Sequence, residues 1–160
     1  MPQIIPHPSA DTEIAAGATK QPYIMAANGN RAALEFMVMW HEYVHEIDDL
    51  IDNNVTDPQR WLSAFAHANL VYSTDFYAAY ARDLRLVVMT ATNAYADSVL
   101  WEKDGNAWQK KWADVIRHSG IDMIYAVAVI CGGYELMRQI SAQLKEFAHK
   151  CHHDENGNPI

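Results

Sequence analysis

From about Asn30 to Asn53 the apolar residues Ala33, Met37, Trp40, Val44, Ile47 and Ile51 recur at alternating intervals of four and three. That spacing predicts a long helix with one buried face. The run stops at Asn53-Asn54. Asp57-Pro58 then restarts the chain with an N-cap residue followed by proline at the first helical position. A second helix is predicted through WLSAFAHANLVYSTDFYAAYARD, with Trp61, Ala64, Ala68, Val71 and Tyr72 as its buried face. No breaker separates it from LRLVVMTATNAYADSVLWEKD, so the third stretch is read as its continuation with a bend near Asp83, ending at Gly105-Asn106. AWQKKWADVIRH is a shorter helix closed at Ser119-Gly120 by a left-handed glycine, and a last helix runs to about Lys150. Gly132-Gly133 inside that helix costs about 1 kcal/mol per glycine against alanine, which marks close packing or a kink.

Residues 1–28 hold Pro2, Pro6, Pro8 and Pro22 among small and polar residues, which predicts an extended arm rather than a helix. The end, 151–160, reads as a disordered polar tail, with His149, His152 and His153 at its edge. Between them, 29–150 forms one all-α domain, a bundle of about five helices, with no strand-period segment and no internal repeat.

Composition narrows the partners. The chain has 160 residues and a formal net charge of -8, and no basic run with which to displace counterions from nucleic acid or an anionic membrane. Cys131 and Cys151 make neither a disulfide framework nor a zinc knuckle. The longest apolar run, around IYAVAVIC, falls short of a membrane span, and no secretory signal is visible. A cytoplasmic homo-oligomer is expected, its arm lying across a partner subunit.

The densest chemistry lies in WHEYVHEIDDLIDN, with two histidines and five carboxylates between His41 and Asp52. On a helical wheel His41, His45, Asp48 and Asp52 form a stripe along one edge of the apolar face, while Glu35, Glu42, Glu46 and Asp49 turn to solvent. Carboxylates four apart, as Asp48 and Asp52 are, project side by side and suit a hard divalent cation. The plainer alternative is an acidic, solvated helix end.

Asp48-Asp49-Leu50-Ile51-Asp52 resembles the DDxxD motif of the trans-isoprenyl diphosphate synthases and class I terpene synthases, which are also all-helical. The resemblance implies magnesium ligands at Asp48 and Asp52 and a diphosphate substrate that is bound or ionised. Terpene synthases carry a second metal motif, Asn or Asp, then Ser or Thr four on, then Glu four further. Asn93 and Asp97 keep its first spacing, whereas Trp101 stands at the glutamate position and Glu102 lies one residue beyond. Of the arginines that follow the first motif in the family, this chain offers Arg60.

Other readings share these residues. His41-Glu42-Tyr43-Val44-His45 matches HExxH, in which two histidines one turn apart bind zinc and the glutamate activates water; His67, Asp75 or Glu102 would have to supply a third ligand. Glu42, Glu46 and Asp49 suit the acidic helix of an all-α nucleotide pyrophosphohydrolase, with magnesium on a triphosphate; in the synthase-like reading manganese is the alternative to magnesium. Outside catalysis altogether, the chain reads as a helical interaction protein. Trp101, Trp108, Trp112, Tyr125 and Tyr134 are read as core, with an apolar ligand cavity as the alternative.

Overall fold

The computed structural model describes residues 21–150, and among them the chain is an all-α bundle with no strand. Six helices follow one another: α1 (Gln21–Ala27), α2 (Arg31–Asp52), α3 (Pro58–Tyr72), α4 (Asp75–Asp104), α5 (Ala107–Arg117) and α6 (Asp122–Lys150), with a 3-10 turn (His118–Ile121) joining the last two. The part of the arm before Gln21 and the tail after Lys150 lie outside the described residues. Within the expected arm, 21–27 is helical instead of extended. Pro22 falls in the first turn, where its missing N–H has no intrahelical acceptor to lose. Tyr23, Ala26 and Ala27 are buried, so tertiary packing holds this short helix in place.

The long helix α2 has the limits its pattern predicts. The Asn30 side chain accepts from the Ala33 amide at one end, and Asn53 caps the other. The second predicted helix is divided. At Ser73-Thr74 the backbone leaves the helix, and the Thr74 hydroxyl accepts from the Tyr77 amide to start α4. From there α4 runs past Asp83 without a break and bends at Tyr80 (φ -120°, ψ 18°). Gly120 is not left-handed; α5 tightens into the 3-10 turn and passes straight into α6. Gly133 makes the kink in α6, at φ 77° and ψ -175°, a conformation essentially closed to residues with a Cβ.

Phe36, Met37, Leu50, Leu84, Ile124 and Leu144 are among the fully buried side chains that tie α2, α4 and α6 together. The Phe36 ring stacks on Phe76 at 5.7 Å. The stretch Ala107–Ala148 contains an 18-residue window of mean hydropathy 1.4, long and apolar enough to cross a membrane by length and composition alone. Its α6 part carries Met123, Ile124, Val127 and Ala128 into the centre of the bundle, while only 22% of the window is buried.

Candidate functional site

One cavity of about 180 Å³ opens where α1, α2, α4 and α6 meet the turn after α5. Its apolar wall includes Tyr23, Trp40, Val44, Ile47, Ala91 and Phe147. Its polar wall carries His41, His45, Asp48, Tyr95, Arg117 and His118. The 3.6-residue repeat of α2 puts His41, His45 and Asp48 on one edge of its buried face, so three of the four residues in the predicted stripe reach one chamber. The two imidazoles lie edge to face at 4.3 Å, and His41 Nδ1 is hydrogen-bonded to the Tyr23 hydroxyl at 3.0 Å. Trp40 Nε1 donates to the Gly120 carbonyl at 3.2 Å, fastening the turn that forms the far side.

Arg117 gathers the acids at the polar end. Its Nη2 lies 3.0 Å from Asp52 Oδ1 and 3.1 Å from Glu102 Oε2, and its Nη1 donates to Glu102 Oε1 at 3.2 Å. Its Nε is 3.5 Å from Asp48 Oδ1, near enough for charge attraction but without hydrogen-bond geometry. The Tyr95 hydroxyl donates to Asp48 Oδ1 at 2.7 Å, and its ring lies 5.7 Å from the guanidinium. Burial works against the Arg117 charge, but Asp48, Glu102 and Asp52 together outweigh it and hold the guanidinium more firmly protonated than usual. Burial, and then the bond to Asp48, pushes the Tyr95 phenol well above its ordinary value. Glu102 is also raised, because partial desolvation and the neighbouring carboxylates exceed the pull of Arg117.

Asp48 and Asp52 offer carboxylate oxygens, the donor type that a hard cation such as magnesium takes. The positive charge between them belongs to Arg117, so a cation shared by this pair would have to take the guanidinium's place. Asn93 and Asp97 are not brought to it. They lie two residues to either side of Tyr95, roughly 200° around α4, and are hydrogen-bonded to each other at 3.3 Å on the outer surface. Arg60 is exposed in the first turn of α3 and is not part of the cavity wall.

The zinc motif is likewise divided. His41 and His45 face the cavity while Glu42 is exposed, and His67 is paired with Glu46 at 2.7 Å. No group of three or more histidine, cysteine or carboxylate side chains is placed to hold a metal among the described residues. For the pyrophosphohydrolase reading, Glu42 and Asp49 are exposed and Glu46 faces His67. The aromatic residues expected in the core are mostly on the surface: Trp108, Trp112 and Tyr134 are exposed. Neither they nor Trp101 and Tyr125 line the cavity.

Sequence reasoning missed Arg117 and Tyr95. The wheel of α4 carries a usable signal for Tyr95, because Leu84, Ala91 and Ser98 are buried at intervals of seven and Tyr95 falls beside that row. No family model, curated protein or solved structure matches this chain.

Proposed function

We propose that this chain is a helical small-molecule-binding protein whose ligand places an apolar group in the cavity and a polar end against His41, His45, Asp48 and Arg117. The observation that carries the reading is the convergence of those four side chains on one aromatic-lined chamber. Ligand sites commonly combine a mostly apolar wall with a few convergent polar groups. At about 180 Å³ the chamber suits one ring or a short branched chain, since a cavity of roughly 150 Å³ accepts benzene.

A narrower form of this reading follows the isoprenoid-synthase resemblance. Magnesium would bind Asp48 and Asp52 and carry a diphosphate, and Arg117, released from the two aspartates, would turn to the phosphate oxygens. Such an exchange would give the two aspartates a new cation in place of the guanidinium, which a partly buried acidic pair needs. The half-buried free thiol of Cys131 supports a reducing, cytoplasmic setting.

The test is isothermal titration with benzyl phosphate and with benzylamine, with and without magnesium, on the wild type, Val44→Trp and Asp48→Ala/Asp52→Ala. Binding lost in Val44→Trp, with helicity retained, supports the chamber. Binding of benzyl phosphate that also needs magnesium and both aspartates supports the narrower form. If neither compound binds, or if filling the chamber changes nothing, the ligand-binding reading is wrong.

A further inference from the structure

The outer face of α4 carries three large apolar side chains among polar ones, and it lacks a partner within the described residues. Leu84, Ala91 and Ser98 turn inward, while Leu86, Met89 and Leu100 point away from the bundle. α5 repeats the arrangement, burying Ala113 and exposing Trp108, Trp112 and Val115 at intervals of four and three. Trp101 joins the two rows, with its ring 5.8 Å from Trp108, which lies 5.9 Å from Trp112. The six outward side chains are between 46% and 66% exposed. If each offers on the order of 100 Å², as half of a large side chain does, the six together reach about 600 Å², the upper end of what a lone protein ordinarily shows. It also approaches the roughly 800 Å² per partner of a specific interface.

We propose that this face docks against a second copy of the same chain, with α4 crossing its equivalent antiparallel about a two-fold axis at Asn93. The sequence of the row supports a self-complementary contact. Leu86 and Leu100 lie seven residues to either side of Asn93, about 10 Å along the helix. A two-fold axis there sets Leu86 against Leu100 of the partner subunit twice over, with Asn93 on its own equivalent. An asparagine amide both donates and accepts, so it can pair with itself, and one such residue in an apolar seam fixes register. Asp97, already bonded to Asn93, keeps its charge at the polar centre, about 12 Å from its equivalent along the axis. The net charge of -8 disfavours an anionic membrane or nucleic acid as the occupant.

The test is the solution mass by light scattering at tens of micromolar, together with crosslinking in a Cys131→Ser/Cys151→Ser background. The wild type is expected at twice the 18.1 kDa of one chain. Leu86→Glu/Leu100→Glu is expected to give the single-chain mass with unchanged helicity. Asn93→Cys should oxidise to a covalent dimer, whereas Gln59→Cys, on exposed α3, should not. A monomeric wild type overturns the proposal, whether or not it pellets with neutral lipid vesicles, which would mark the face as membrane-seeking. A dimer that survives the double substitution, or that fails to crosslink at position 93, overturns it as well.

Discussion

Arg117 Nη2 and Asp52 Oδ1 are 3.0 Å apart although 65 residues separate them, and the contact joins the end of α5 to the end of α2. The same guanidinium serves Glu102 and lies against Asp48. Removing it leaves three carboxylates near one another without their cation. Arg117→Met is therefore expected to destabilise the fold by about 1–3 kcal/mol, below the cost of a fully buried pair because Asp52 and Glu102 are partly exposed. Arg117→Lys should recover only part of this, since an ammonium cannot serve three acids with a planar fork. Urea denaturation of the three proteins checks the order.

Glu102 is the acid of this cluster expected to tolerate neutralisation. Its proton is held more tightly in the folded chain than in the unfolded one, so this group's contribution to stability rises as pH falls through the range just above an ordinary glutamate's. Glu102→Gln should match or slightly exceed the wild type at pH 7 and lose that part of the pH dependence. Denaturation at pH 7 and pH 5 measures both. A large loss in the variant at pH 7 would show the ionised form to be the favoured one.

Two glycines of the final third should behave differently. Gly133 sits at φ 77°, so Gly133→Ala is expected to cost about 1–3 kcal/mol through backbone strain. Gly120 has an ordinary φ and open space where a Cβ would stand, so Gly120→Ala should change the melting temperature little. Thermal unfolding followed by circular dichroism distinguishes them.

Cys131 should be a sluggish nucleophile. Burial pushes its thiol up to about 11, which leaves roughly a hundredfold less thiolate at pH 8 than an ordinary cysteine has. In a Cys151→Ser background, modification by Ellman's reagent should be slower than that of free cysteine by about this factor. It should accelerate when urea opens the fold.

What the sequence made legible was local. Asn30 and Asn53 bracket α2 because its caps and its periodicity coincide. The His41–His45–Asp48 edge follows from the wheel of that one helix. The break at Ser73-Thr74 escaped because neither glycine nor proline marks it, although Thr74 before Asp75 is itself an N-cap pair. Arg117 escaped for another reason. Its three acids come from two other helices, one adjacent and one distant in the chain, and nothing in AWQKKWADVIRH tells a solvated arginine from one that ends a helix against them. Trp108 and Trp112 show the converse error: helical spacing identifies an apolar face without saying whether the chain itself covers it.

The bond from Trp40 to Gly120 gives the charge cluster a common frame of reference. One helix, α2, bears two of the acids and also the indole that pins the turn three residues beyond Arg117. Acid and base are thus set like the jaws of a caliper on a single beam. The chamber's other side is held to the same beam, because Tyr23 on α1 is bonded to His41 of α2 and packs edge-on against Phe147 of α6.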